Sequence, residues 1–274
     1  MNLLLEFEAH LMHEEKSRLT IEKYLRDVGK FLIWIGEKTI SKETVLEYKE
    51  SLVELYEVTS VNSMLSSLNS YFDFINRPDF RVKNLRRQRQ AFLPEGKELS
   101  REEYNRLIKA AAAKPRLCLL MQTICSTGIR VSEHKFITVE AARAGRAEVR
   151  LKGKVRTVFL PGKLCGSLLK YAREHRIASG SIFVTASGKP LDRCNIWAEM
   201  KKLCHTARVS REKVFPHNLR HLFARLFYAM DHDIVRLADV LGHSSINTTR
   251  IYTMESGATH RRQIEKLDLM CCIT

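Results

Sequence analysis

The chain has 274 residues, 45% of them hydrophobic, which suffices for one large or two modest packed domains and excludes a disordered chain. Its 46 Lys+Arg against 31 Asp+Glu give a net charge of +15, a balance that favours a polyanionic partner, most often nucleic acid. No apolar run approaches the roughly 20 residues that span a bilayer, and MNLLLEFEAHLMHEE carries acids where a signal peptide would be positive, so the expectation is a cytoplasmic protein without membrane contact.

From Asn2 to about Phe80 apolar residues recur at helical spacing, as in LTIEKYLRDVGKFLIWIGEK, where Ile21, Tyr24, Leu25, Val28, Phe31 and Leu32 form one stripe. VLEYKESLVELYE and VNSMLSSLNSYFDFI repeat the pattern, and four helices are expected in a small all-helical domain over residues 1–80. Leu19-Thr20 and Ser41 offer helix starts, and Gly36 and Pro78 offer stops. These residues hold 9 Lys+Arg and 14 Asp+Glu, net −5, so the basic character belongs to residues 81–274, net +20.

Residues 81–97, RVKNLRRQRQAFLPEGK, read as a basic linker. Such a run is either plain solvated charge or a strap that crosses a phosphate backbone between two domains.

The second domain, residues 98–274, opens with LSREEYNRLIKAAAA, where Ser100 and Glu103 form a capping box. In LCLLMQTICSTGIRVSEHKFI a buried helix, Leu117 to Ser126, is expected to stop at Gly128, with a new helical segment near Arg130. RAEVRLKGKVRTVFLPG reads as a β-hairpin with Lys152-Gly153-Lys154 at its tip, and SIFVTASGKPL as a third strand and turn. From Arg193 onward the pattern is helical again. The fold class is therefore mainly α: an N-terminal helical domain followed by an α+β, mostly helical domain with a small antiparallel sheet. The seven cysteines are odd in number and lack a C-x-x-C pair, so they are expected to be reduced and mostly buried.

In FPHNLRHLFARLFYAM, Pro216 suits a first helical turn, and His217, Arg220 and His221 share one face opposite Leu219, Leu222, Phe223 and Leu226. Two imidazoles and a guanidinium at a helix's positive end make a plausible anion site. Two other readings stand beside it. His-x-x-x-His can hold zinc, although Asn218 fills the place of a metalloprotease glutamate and Arg220 would intrude on the cation; the pair can also be purely structural.

LGHSSINTTRIYT sets His243 nine positions before Tyr252, which would put them on opposite faces of one continuous helix. A break resolves this: Gly242 ends one helix, Ser244 or Ser245 caps the next, and Tyr252 rides about two turns further, free to converge with His243.

Together TGIRVSE, the LKGK hairpin tip, HNLRH, LGHSS and a tyrosine nine residues after His243 resemble, in order, the motifs of the tyrosine recombinase/phage integrase family and its Xer-like site-specific recombinases. LTIEKYLRDVGKFLIWI is similar to that family's helical core-binding domain. The resemblance implies that Tyr252 is the nucleophile, forming a 3′-phosphotyrosyl link and a free 5′-hydroxyl. It implies that Arg130 and Arg220 bind the scissile phosphate, that His217 and His243 assist proton transfer and hydrogen-bond the phosphate, and that Lys152, or its neighbour Lys154, protonates the leaving oxygen. His221 matches a position packed beside the site.

The residue chemistry suits these roles. A tyrosine with a free pKa near ~10 needs a base and an electropositive pocket, arginine clasps two phosphate oxygens and stays charged, and lysine has a proton to give. Neither cofactor nor metal is implied. The partners implied are a double-stranded DNA recombination site, further copies of the chain in a tetramer on DNA, joined through the tail 258–274, and accessory proteins. The acidic first domain leaves Lys16, Arg18, Lys23, Arg26, Lys30 and the linker to hold DNA, or partner proteins to share the work. The rivals are a type IB topoisomerase-like activity, which would relax supercoils without a defined site, and a catalytically inactive DNA-binding relative.

Overall fold

The computed structural model describes residues 3–86, 96–151, 154–185, 187–252, 261, 265 and 266. The chain forms two compact units, Met1–Arg89 and Gln90–Thr274.

The described residues of the first unit form four α-helices, α1 (Leu3–His13), α2 (Arg18–Ile35), α3 (Lys42–Leu55) and α4 (Val58–Phe74), and a 3-10 turn at Pro78–Phe80. The apolar stripe of α2 turns inward as its spacing predicts: Ile21, Val28 and Phe31 are buried, and Tyr24, Leu25 and Leu32 pack partly buried against the same core. The helix starts earlier than expected, because the Ser17 hydroxyl, not Leu19 or Thr20, accepts the orphan Thr20 N–H. Ser41 caps α3 in a reciprocal box with Thr44. Phe31 and Phe72 meet edge to face with ring centroids 5.8 Å apart, the arrangement that aromatic quadrupoles favour.

Residues 81–86 do not leave this unit as a free linker. Asn69 exchanges two hydrogen bonds with the Val82 backbone, at 2.9 and 3.0 Å, and Asn62 does the same at Leu85, at 3.0 and 2.7 Å. The remaining linker residues 87–95 lie outside the described residues. The basic side chains of this unit are engaged: Lys16, Arg18, Lys23 and Arg26 each pair with an acidic neighbour, and Lys30 sits over the Tyr56 ring.

The second unit runs α5 (Arg101–Ala110), α6 (Pro115–Thr127), α7 (Val139–Ala144), β1 (Arg146–Leu151), β2 (Lys154–Phe159), α8 (Gly162–Glu174), α9 (Arg193–Lys201), α10 (Cys204–Ala207), α11 (Pro216–Asp231), α12 (Ile234–Leu241) and α13 (Ile246–Thr249). Leu120, Met121 and Ile124 of α6 and Leu219 and Leu222 of α11 belong to one core, so this helix pair forms the floor on which the site is built. Gly128 ends α6 at φ +66°, and a Cβ there would strike the Phe223 ring of α11, so both backbone and packing demand glycine.

β1 and β2 pair antiparallel, Arg146 opposite Phe159 and Leu151 opposite Lys154. The expected third strand does not form among the described residues. The 181–190 segment contributes only isolated bridges, Thr138 with Ser181 and Val184 with Pro190, because it turns back on itself through a Thr185–Lys189 hydrogen bond. The helical segment expected near Arg130 is a single 3-10 stretch, Val131–Phe136. Leu226, expected on the buried face of α11, is 44% exposed, because beyond Leu222 the helix turns Phe223, Ala224, Phe227 and Tyr228 instead toward Leu237, Leu241 and Tyr252. The described cysteines are free but less buried than expected: Cys118, Cys125, Cys165 and Cys204 are intermediate and Cys194 is exposed. No helix among the described residues is long and apolar enough to cross a membrane.

Candidate active site

Arg130 and Val131 from the turn after α6, His217 and Arg220 from α11, and Arg193 and Trp197 from α9 line one open cleft of about 900 Å³. Arg220 is 1% exposed, which is rare for an arginine without a carboxylate partner. Its guanidinium donates instead to neutral acceptors: Nη1 to the Gly128 carbonyl, and Nη2 to the Leu241 carbonyl at 2.9 Å and to His243 Nε2 at 2.9 Å. These acceptors lie at the C-terminal ends of α6 and α12, where helix carbonyls have no intrahelical donor and the helix dipoles are negative. Nε is buried without a partner. Burial, with Arg130 nearby, lowers the Arg220 pKa to about 10, still well above neutral pH, so the group remains a cation.

Arg130 is held differently. Glu133, 1% exposed, accepts from the Arg130 backbone N–H at 2.8 Å and from its Nη1 at 3.0 Å. The same carboxylate accepts from Nη2 of Arg156 at 2.6 Å, and Arg156 Nη1 donates to the Val240 carbonyl at 2.7 Å.

The stretch after α12 breaks where its residues predict. Gly242 closes α12 at φ 65°, Ser245 caps α13, and a 3-10 turn, Arg250–Tyr252, follows. Tyr252 is 3% exposed, its ring stacked on His243 with centroids 5.8 Å apart, edge-on to His221 at 4.6 Å, and 6.4 Å from His217. Because Arg220 can only donate, Nε2 of His243 accepts, so its proton sits on Nδ1 and is donated to the buried Thr249 hydroxyl at 2.9 Å.

All three histidines titrate low. Burial followed by the Arg220 charge brings His243 to about 4, burial followed by His217 brings His221 to about 4, and burial followed by Arg220 and Arg130 lowers His217. Each imidazole is therefore neutral at pH 7 and able to accept a proton.

Five of the six residues singled out from the sequence, Arg130, His217, Arg220, His243 and Tyr252, thus surround one region. The sixth, Lys152, lies outside the described residues; its alternative, Lys154, opens β2. Among the described residues no group of three or more His, Cys, Asp or Glu side chains gathers to hold a metal. Sequence reasoning missed Glu133, Arg156 and Thr249 as parts of this network. Glu133 had a signal, an acid three residues after Arg130 in TGIRVSE. Arg156 had none, because its partners come from distant elements, whereas Thr249 lies only six residues after its partner His243, beyond the break at Gly242.

Residues 97–258 match the phage integrase family, and residues 4–78 match the phage integrase N-terminal SAM-like domain. The tyrosine recombinase XerA of Pyrococcus furiosus is 28% identical over 98% of this chain and 94% of its own length. The XerH site-specific recombinase bound to its difH substrate in a pre-cleavage complex shares the fold, at 22% identity and a TM-score of 0.70 over 92% of this chain and 79% of that one. So does a lambda integrase tetramer bound to a Holliday junction, at 17% identity and a TM-score of 0.72 over 91% of this chain and 76% of that one. The chain belongs to the phage integrase family and is a tyrosine-type site-specific DNA recombinase.

Proposed function

We propose that this recombinase cuts double-stranded DNA by attack of the Tyr252 hydroxyl on a scissile phosphate. The attack forms a 3′-phosphotyrosyl bond, breaks the phosphorus bond to the 5′-oxygen, and later runs in reverse with another strand's 5′-hydroxyl. Arg130 and Arg220 clasp the nonbridging oxygens and stabilise the charge of the transition state. His217 takes the tyrosine proton, His243 steadies Arg220 by accepting from its Nη2, and Lys152 of the LKGK stretch protonates the departing 5′-oxygen. One phosphodiester replaces another, so the exchange needs no nucleotide hydrolysis.

Residues 1–80, with the docked segment 81–86, form the helical core-binding clamp, residues 87–97 complete the basic linker and residues 98–274 form the catalytic domain. Four copies act together on DNA in the cytoplasm, with accessory proteins free to share the grip of the acidic clamp. The tetrameric lambda integrase of like fold supports that assembly.

The observation that carries this reading is the packing of Tyr252 against His243 and His221, one hydrogen bond away from the buried, carboxylate-free Arg220. The test is trapping on nicked suicide DNA. The wild-type chain accumulates a covalent protein–DNA adduct and Tyr252→Phe accumulates none; an adduct that persists in Tyr252→Phe overturns the assignment.

A further inference from the structure

We propose that Arg156, on strand β2, is a positioning residue that sets Arg130 for catalysis by clamping Glu133 to the C-terminal end of α12. The inference rests on the phosphate-binding role proposed above for Arg130.

The Arg156 guanidinium reaches two elements far from it in sequence. Nη2 donates to Glu133 Oε2 at 2.6 Å, across 23 residues, and Nη1 donates to the Val240 carbonyl at 2.7 Å, across 84 residues. Glu133 is 1% exposed and the Arg156 side chain 15%, so neither end of the ion pair is bathed in water, and such a charge-assisted bond is short and directional. The other oxygen of Glu133 holds Arg130 Nη1 at 3.0 Å, and Oε2 also accepts from the Arg130 backbone N–H at 2.8 Å. One carboxylate thus fixes both the main chain and the side chain of a residue that lines the cleft, and Arg156 fixes the carboxylate.

A second observation ties Arg156 to the opposite wall. Gly242 follows the Val240 and Leu241 carbonyls, the first bound by Arg156 and the second by Arg220, and a Cβ at Gly242 would collide with Arg156 Cδ. The stem of Arg156 therefore passes directly beneath the corner that carries His243. A lysine at position 156 could satisfy Glu133 or the Val240 carbonyl, but its single ammonium cannot span both as the planar fork does. Without Arg156, Glu133 keeps its full charge with one fewer donor and draws Arg130 toward itself, away from the cleft.

The test measures, in single turnover, DNA binding and covalent adduct formation by the full chain carrying Arg156→Lys, Arg156→Met, Glu133→Gln, or Arg156→Met with Glu133→Gln. Arg156→Met is expected to slow adduct formation by about 100-fold while DNA affinity changes by less than about threefold, and Arg156→Lys to recover only part of the rate. Since the two residues act as one unit, the double variant loses no more than the worse single variant. It also removes the uncompensated buried carboxylate, so it reports even where Arg156→Met folds poorly.

A substrate with sulfur in place of the bridging 5′-oxygen needs no proton on its leaving group. It is expected to restore Lys152→Ala and to leave Arg156→Met slow, because the defect lies at Arg130. Rates that multiply in the double variant, an unchanged rate in Arg156→Met, or its restoration by the sulfur substrate each overturn the proposal. Loss of the adduct in the wild-type chain, or its survival in Tyr252→Phe, would instead overturn the site reading on which the proposal rests.

Discussion

Among the described residues, Asp27 of the first unit and Arg220 of the second are buried charges compensated in opposite ways. In the first unit Asp27, 2% exposed, is closed by its opposites: Lys23 at 2.8 Å, Arg26 at 3.2 Å, and the Ser67 hydroxyl at 3.0 Å. In the second unit Arg220 is surrounded by two carbonyls and a neutral imidazole, with Arg130 adding positive charge rather than removing it. The first arrangement satisfies desolvation and charge together and has nothing left to bind. The second gives acceptors to both terminal nitrogens of the guanidinium but leaves Nε without one and the charge open, which destabilises the free protein and is relieved by an anion. A buried ion facing only dipoles is prepared for a ligand of the other sign.

Substituting each charge separates the two cases. Arg220→Lys should lower the rate of adduct formation by more than about 100-fold, because one ammonium cannot serve three acceptors and a phosphate, and single-turnover trapping reads this directly. Asp27→Asn should do the reverse. Stability falls by about 2 kcal/mol, seen in denaturant unfolding of the first unit, as Lys23 and Arg26 lose their counter-charge, while the adduct rate stays within about twofold. A rate loss in Asp27→Asn comparable to that of Arg220→Lys would break the contrast.

Gly242→Ala should cost about 1–2 kcal/mol through the positive φ alone and slow adduct formation by displacing Arg156. A variant that melts lower yet reacts at the wild-type rate would separate the strain from the site.

The smallest effect is on pH dependence. Unfolded histidines take up protons below about pH 6.5, whereas His221 and His243 remain neutral in the folded protein down to about 4. The unfolded state therefore binds more protons in that window, and stability falls as pH drops from 6.5 toward 4. Allowing for solvent contact, His221 accounts for about 2 kcal/mol or less of this loss. His221→Phe should flatten the fall in melting temperature over that range, while Asp27→Asn leaves the histidine-dependent slope intact.

Much of the fold was legible locally. The stripe of α2, the Ser41 and Ser100 capping boxes and the Gly128 and Gly242 stops depend on side chains within one turn of each other, and the structure reproduces them along with the antiparallel pairing of β1 and β2, while the tip residues 152 and 153 lie outside the described residues. The start of α2 at Ser17 was missed because two capping hydroxyls, Ser17 and Thr20, lie three residues apart, and it is Ser17 that has the extended backbone of a cap and accepts the Thr20 N–H. The third strand expected in SIFVTASGKPL does not form among the described residues, because alternation there reports burial, not a partner, and Ile182 and Phe183 are buried outside any ladder.

Tyr252, His217, Arg220, His243 and Arg130 were named from motif, spacing and resemblance, and the break between His243 and Tyr252 followed from Gly242 and a capping serine, Ser244 or Ser245, of which the structure uses Ser245. What the chain could not declare was how its charges are met. The sharing of Glu133 by Arg130 and Arg156, the carbonyl cage of Arg220 and the lodging of Tyr252 among three imidazoles join residues from 21 to 92 positions apart in the cases of Arg220 and Arg156. Capping and periodicity act within a turn, so the sequence determines them by itself. Which acceptor meets a buried guanidinium is decided only when α6, α11, α12 and β2 pack, because that choice depends on the distance between elements and not on the order of residues along any one of them.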